Sequence, residues 1–280
     1  YEFSACRVSL YICIRDKDDH SITANQDKAL VLSDDFDPQR HDAYFADLAR
    51  RMSDGLSACG YPYCTGGIMS TNPKWRQPLS VWKNYFEEWI TRPDPERLLH
   101  SSIFFDLDAA YGEESYVEVL QDLIVTRASQ NKRFLGALAR NALGRTPPLG
   151  FFRTFVMEKD GKHKNSINLK RRGTAPMVDV IRVHALAAGS RAQNSFERLD
   201  DIDRSAMLPA GQVDKLRYAL EFIAMVRIRH QAYNLRIEKE ADNNIDPENV
   251  SDSERHNLKD AFQVLSNAQK YLRFHYPMPD

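Results

Sequence analysis

The stretch Thr23-Ala24-Asn25-Gln26-Asp27-Lys28-Ala29-Leu30-Val31-Leu32 runs from a polar cluster into a short apolar segment, and Ser33-Asp34-Asp35 ends it as a turn cluster. Read as a strand, it projects residues 25 and 27 to one face. Two carboxylates so placed would hold a metal pair, which stabilises the attacking and leaving oxygens of phosphoryl transfer. Here the first position is Asn25, so the charge rests on Asp27 alone. A single Asp in a polar turn is also an ordinary structural feature. Upstream, residues 8–14 are β-branched and aromatic and read as a second strand. Downstream, Asp37-Pro38 opens a helix, with Asp37 as N-cap and Pro38 at the first helical position. Phe45, Leu48, Met52 and Leu56 fall at helical spacing, Gly60 is the stop, and residues 61–67 read as a turn or short strand ending in Gly66-Gly67.

Further along, Ser80 is expected to cap a short helix carrying Trp82, Phe86 and Trp89 on one face, a stripe that reads as core. Arg92-Pro93-Asp94-Pro95 breaks that helix. Residues 102–107, Ser-Ile-Phe-Phe-Asp-Leu, read as a buried strand that places Asp106 at the rim of a sheet, where ligands bind in open α/β sheets. A solvent-exposed strand end is the other reading. One long helix is expected over residues 116–143, closed by Gly144. Residues 151–158 and 164–169 flank Lys159-Asp160-Gly161 as a β-hairpin. Beyond Pro176 the chain reads as helical, with its longest helices over 213–237 and 253–276. Ser251 and Glu254 form a capping box for the second. The change from mixed strands to helices divides the chain into residues 1–115 and 116–280.

The composition is that of a globular protein: 280 residues, 42% hydrophobic and 28% charged. With 38 Lys and Arg against 39 Asp and Glu, the net charge of −1 excludes a polycation and, with no nucleic-acid motif present, argues against a nucleic-acid partner. No run approaches the roughly 18–20 apolar residues of a membrane span. Cys6, Cys13, Cys59 and Cys64 form no C-x-x-C pair, so neither a zinc ribbon nor a thioredoxin-type site is encoded, and such scattered thiols favour a reducing cytoplasm. The first residue is Tyr1, so the sequence reads as a piece of a longer polypeptide with a domain upstream.

Several separated blocks, in order, resemble a bacterial nucleotidyltransferase family often fused to CBS and cyclic-nucleotide-binding modules. That family is distantly related to the PII uridylyltransferase and to the DNA polymerase beta-like superfamily. Asn25-Gln26-Asp27-Lys28-Ala29-Leu30 sits where the family has Asp-Gln-Asp-Asn-Ala-Leu. Gly66-Gly67-Ile68-Met69, Asn72-Pro73 and Trp75-Arg76 resemble its second block, and residues 102–107 resemble its Ser-Ile-Phe-Phe-Asp-Leu segment. Glu158-Lys159-Asp160-Gly161, Leu169-Lys170-Arg171-Arg172-Gly173, Arg227-Ile228-Arg229-His230-Gln231 and Leu258-Lys259-Asp260-Ala261-Phe262 resemble its C-terminal domain.

The resemblance implies an α+β fold: a nucleotidyltransferase palm-type mixed sheet with helices, then a mostly helical bundle with one hairpin, and an active cleft between them. It implies Mg²⁺ and ATP or another nucleoside triphosphate, with nucleoside monophosphate passing to an acceptor that includes proteins. Asp27 and Asp106 would be the catalytic carboxylates and, with Asn25, the metal ligands, their carboxylates converging within roughly 4–7 Å. Lys17, Asp19, Gly66, Gly67, Lys170 and Arg171 would contact the nucleotide. CBS or cyclic-nucleotide-binding domains would lie upstream.

The chain departs from the family at its first motif. Cys13-Ile14 occupies the Gly-Ser positions whose backbone approaches the triphosphate, and β-branched Ile14 is excluded from the positive φ such loops use. Lys17, Asp19 and His20 stand where Arg, Glu and Gln are expected. These departures support an alternative reading, an inactive regulatory or scaffold module acting in signal transduction. Two further groups have two readings each. Lys159, Lys170, Arg171 and Arg172 would meet phosphates or an acidic protein, or form a salt-bridged face. Arg227 and His230 share a helix face among apolar neighbours and would supply a catalytic base or, the favoured reading, an internal ion-pair network with Asp200, Asp201 and Asp203 as candidate partners.

Overall fold

The computed structural model describes residues 8–13, 26–150, 154–159 and 163–277. Strands β1 (Val8–Cys13), β2 (Asp27–Leu32), β3 (Arg76–Pro78) and β4 (Ala109–Gly112) form a sheet in the order β3-β2-β1-β4. β1 runs antiparallel to both its neighbours, and β2 and β3 are parallel. Tyr11 pairs with Ala29 on one side and Ala109 on the other, so β2 and β4 begin at the same end of the sheet.

Helix α1 (Pro38–Ala58) starts where the sequence places it, Asp37 accepting from the Gln39 N–H at 2.9 Å, and Gly60 beyond its end takes φ +94°. Phe45 and Ala49 of α1 pack on Leu30 and Leu32, the face of β2 opposite Asp27. Helix α2 (Leu79–Thr91) packs against β2, and its Trp82, Phe86 and Trp89 are buried, as expected of a core stripe. Ser80 is not its cap: the residue lies inside the first turn, and its N–H is taken by the Asp34 carboxylate at 2.8 Å.

Residues 102–104 are not a strand. They complete helix α3 (Pro95–Phe104), which Asp94 caps through the Arg97 N–H at 2.8 Å. The Ser101 and Ser102 hydroxyls bond back to the carbonyls of Arg97 and Leu98, each at 2.8 Å. A short buried apolar run has no period of its own, and the Asp-Pro start upstream decides it as helix. Trp75 joins this aromatic core, its ring 4.6 Å from Phe104, 5.0 Å from His100 and 5.9 Å from Trp82.

The expected helix over 116–143 is two helices, α4 (Glu114–Gln130) and α5 (Lys132–Leu143). Asn131 leaves the helical region at ψ 89°, and its side chain donates to the Ile90 carbonyl at 3.1 Å. The chain forms two compact units that divide between residues 131 and 132, and α4 packs on α2 within the first.

The second unit holds α5, β5 (Ile167–Asn168), α6 (Ala175–Ala187), α7 (Ser195–Arg204), α8 (Gln212–Arg236), β6 (Asn244–Ile245) and α9 (Asp252–His275). Ser251 caps α9 through the Glu254 N–H at 3.2 Å. The expected hairpin is replaced in part: Glu158 exchanges backbone bonds with Asn165 and Ser166, but β5 pairs with β6 from 77 residues downstream. Lys170–Thr174 is a π-helical turn that runs into α6. Its Gly173 lies so close to α8 that an added Cβ would come within 2.9 Å of Ile223. No helix among the described residues is long and apolar enough to cross a membrane.

His184 on α6 is buried, its Nδ1 3.3 Å from the Tyr276 hydroxyl. Burial, with a smaller contribution from His275, lowers its pKa to about 4. The unfolded chain binds this proton from about pH 6.5 downward. Stability from the neutral imidazole is therefore present above pH 6.5 and is lost as pH falls toward 4, by up to about 3 kcal/mol. Urea midpoints of the parent and His184→Gln from pH 7 to 4 check this. The variant should lose less stability over that range, and parallel curves would refute the assignment.

Candidate functional site

The site is built around the first residues of β2. The segment after α1 wraps this strand: Gln26 N–H donates to the Pro62 carbonyl and Lys28 N–H to the Ile68 carbonyl, each at 3.2 Å, and Gln26 bridges Tyr63 in parallel. On the face toward α1, the Gln26 side-chain amide donates to the carbonyls of Ser53 (3.0 Å) and Tyr61 (2.7 Å). Its oxygen accepts from Lys28 Nζ at 2.6 Å.

Asp27 lies on the opposite face at 5% exposure. The Cys64 thiol donates to its carboxylate. Burial first, and then Asp27, hold the Cys64 pKa above the usual thiol value, so the sulfur stays protonated. Gly67 takes φ +69° in the adjoining turn, and its carbonyl accepts from the Trp75 indole at 3.1 Å and the Asn72 amide at 3.3 Å. The aromatic core thus fixes the turn beside Asp27. Arg76, at the start of β3, is a scaffold residue, bound to Asp42 at 2.9 Å and to the Ser70 carbonyl at 2.9 Å.

Asp106 follows the end of α3 at 6% exposure, three residues before β4. Asp27, on β2, and Asp106, just before β4, therefore belong to the same end of the sheet, where β1 separates the two strands. Two strand spacings are about 10 Å of backbone, a gap the two side chains would have to narrow to share one cation. Asn25, Lys17 and Asp19 lie outside the described residues. Among the described residues no group of three His, Cys, Asp or Glu side chains is placed to hold a metal ion. Asp27 and Asp106 do supply hard oxygen donors, and Mg²⁺ is commonly held by one or two carboxylates together with substrate phosphates.

In the second unit, Arg171 pairs with Glu158 and its N–H donates to Asn168 Oδ1 at 2.8 Å. Arg172 donates to the Val156 carbonyl at 2.8 Å. Lys170 opens the same π-helical turn. Arg227 donates to Thr174 Oγ1 at 3.0 Å, and His230 Nε2 lies 2.9 Å from Asp242. Asp200 and Asp201 are engaged by Arg217 and Arg204.

Residues 132–276, just over half of the chain, match the family model described as "Putative nucleotidyltransferase substrate binding domain". The chain belongs to this nucleotidyltransferase family. Residues 17–96 match a second model, "Putative nucleotidyltransferase DUF294". Comparison with curated proteins gave no match. In this family member Asp27, Gly66 and Gly67 fall within the match over residues 17–96, and Lys170 and Arg171 within the match over residues 132–276.

Two side chains at the site carried no sequence signal. Cys64 reaches Asp27 only because the wrapped segment pairs with β2. Lys28, where the resemblance has Asn, is fully buried, and burial lowers its pKa to about 8 against a smaller opposing attraction to Asp54. The unfolded chain keeps this proton up to about pH 10.5. Stability therefore rises by up to about 3 kcal/mol as pH climbs from 8 to 10.5. Lys28→Met should lack that rise relative to the parent in urea titrations at pH 7.5 to 10. An equal slope in both proteins would show that Lys28 is solvated.

Proposed function

We propose that this protein transfers a nucleoside monophosphate from a nucleoside triphosphate to an acceptor, the first unit holding the nucleotide and the second the acceptor. The observation that carries the reading is the order of the two family matches along the chain, with buried Asp27 at the start of β2 inside the match over residues 17–96. Asp27 and Asp106 would hold Mg²⁺, with Asn25 as a neutral oxygen donor. When bound, Mg²⁺ supplies charge stabilisation for the phosphates and the leaving pyrophosphate. Asp106 would accept the proton of the attacking hydroxyl or complete the ligand set. The Gly66-Gly67 turn, fixed by Trp75 and Asn72, gives backbone access beside Asp27. The chemistry needed from the protein is position and electrostatics.

A second reading is an inactive module that keeps the fold and passes a signal from upstream CBS or cyclic-nucleotide-binding domains. Asn25 and the Cys13-Ile14 pair favour it, since they remove a metal charge and the phosphate-approaching glycine. Calorimetric titration of the protein with Mg²⁺-ATP, followed by an assay of pyrophosphate release, tests both. Binding with pyrophosphate release supports the transferase, and binding without release supports the module. No binding of any of the four nucleoside triphosphates refutes the nucleotide site.

A further inference from the structure

Whole-chain neutrality hides a strong segregation of charge. Residues 1–131 carry 13 Lys and Arg against 21 Asp and Glu, a net −8, whereas residues 132–280 carry 25 against 18, a net +7. The second unit is therefore basic enough to meet a polyanion, although the whole chain is nearly neutral. Much of that unit's charge is paired: Arg171 with Glu158, Arg182 with Asp179, Arg217 with Asp200 and Arg229 with Glu254.

A different set stands where α5 ends against α9. Gln269 donates to the carbonyls of Ala142 (3.0 Å) and Arg145 (2.7 Å), which fixes Arg145 beside α9. On α9, Lys259, Lys270 and Arg273 lie 11 and 14 residues apart, within an arc of about 60° and along about 21 Å of helix. Among the described residues none of these four cations has an acidic partner. Asp260, on the flank of the stripe, is engaged by His256 at 3.3 Å. The stripe also carries apolar rings: Lys259 lies 5.2 Å over the Phe155 ring, and Phe274, next to Arg273, is 83% exposed.

We propose that this stripe, Arg145, Lys259, Lys270 and Arg273 with Phe274, binds a single-stranded nucleic acid. Spaced cations follow a phosphodiester backbone, and an exposed ring offers a stacking surface for a base without demanding sequence. An acidic protein surface would satisfy the cations but gives no account of the exposed ring among them. Under the transferase reading the bound strand is the acceptor. The binding itself needs neither nucleotide nor metal, so it is tested apart from that reading.

The test uses the full chain and a fluorescein-labelled 20-nucleotide poly(U), read by anisotropy between 50 and 200 mM NaCl without Mg²⁺. Three or four phosphate contacts predict a log–log salt slope of about −2 to −3. Arg145→Glu/Lys270→Glu/Arg273→Glu should weaken binding at least tenfold and flatten the slope. Phe274→Ala should weaken binding with the slope unchanged. A control, Lys215→Glu/Arg236→Glu/Lys239→Glu, makes the same change in net charge away from the stripe and should retain most of the affinity. Equal loss in both triple variants would overturn the site in favour of net charge alone. Binding of poly-glutamate, with poly(U) not bound, would overturn the nucleic-acid assignment in favour of an acidic protein. No binding of either would overturn the surface altogether. Thermal melts of each variant guard against unfolding, and all six substituted cations are exposed.

Discussion

Asp27→Asn is expected to cut Mg²⁺-dependent pyrophosphate release at least about a hundredfold, the scale on which loss of a group acting on transition-state charge is felt. The fold should survive, because the amide oxygen still accepts from the Cys64 thiol and the strand keeps its backbone bonds to the 61–68 segment. The reverse change at the neighbouring position is the more informative. Asn25→Asp restores the second carboxylate of the i, i+2 pair. Mg²⁺, which prefers charged oxygen ligands, should then raise the melting temperature of this variant more than that of the parent. A tenfold gain in affinity would be worth about 1.4 kcal/mol at saturating metal. Without metal the two adjacent carboxylates repel, and one of their pKa values must rise. Paired melts with and without Mg²⁺ decide the matter. An equal shift in both proteins, or none, would mean that residues 25 and 27 are not a metal site, and the regulatory-module reading would take precedence.

The largest effect on stability is expected at Trp75. This side chain is 2% exposed and sits among Trp82, Trp89, His100 and Phe104. Trp75→Ala should cost about 3–5 kcal/mol, since the transfer free energy of the ring is lost and a cavity remains. Urea unfolding would show it as a lower midpoint with little change in slope. Trp75→Phe is a finer probe. It keeps most of the buried area but deletes the indole donor to the Gly67 carbonyl. The Asn72 amide still reaches that carbonyl, so the stability cost should be modest, about 1 kcal/mol beyond the lost ring area. Nucleotide affinity should fall by more than stability predicts if the Gly66-Gly67 turn works as a fixed surface beside Asp27. Unchanged affinity in Trp75→Phe would detach that turn from the nucleotide site.

The elements legible in the sequence were those whose signals are local. Asp37-Pro38 and Gly60 bracket α1, Ser251 and Glu254 start α9, and the Ala-Leu-Val-Leu run of β2 ends at its turn cluster. Each signal acts within a turn or two of chain, through a cap, a fixed φ or a side-chain period. The stripe of Trp82, Phe86 and Trp89 was equally readable, because a helical period of large rings has few destinations but a core. The family blocks added the order of the two units and the candidate carboxylates.

Tertiary structure alone decided the rest. The Ser-Ile-Phe-Phe run has no period to separate a buried strand from a buried helix, and Asp94-Pro95 settles it from upstream. Two-residue strands such as β5 and β6 are too short to leave a pattern, so their pairing could not displace the hairpin expected from Lys159-Asp160-Gly161. The partners of buried polar groups were the least visible. Arg227 meets Thr174, His230 meets Asp242, and Cys64 meets Asp27 across a strand pairing that no local residue announces. A sequence states that a buried charge or donor must be satisfied. Which group satisfies it depends on chain segments brought together only when the apolar faces of the sheet and helices have packed.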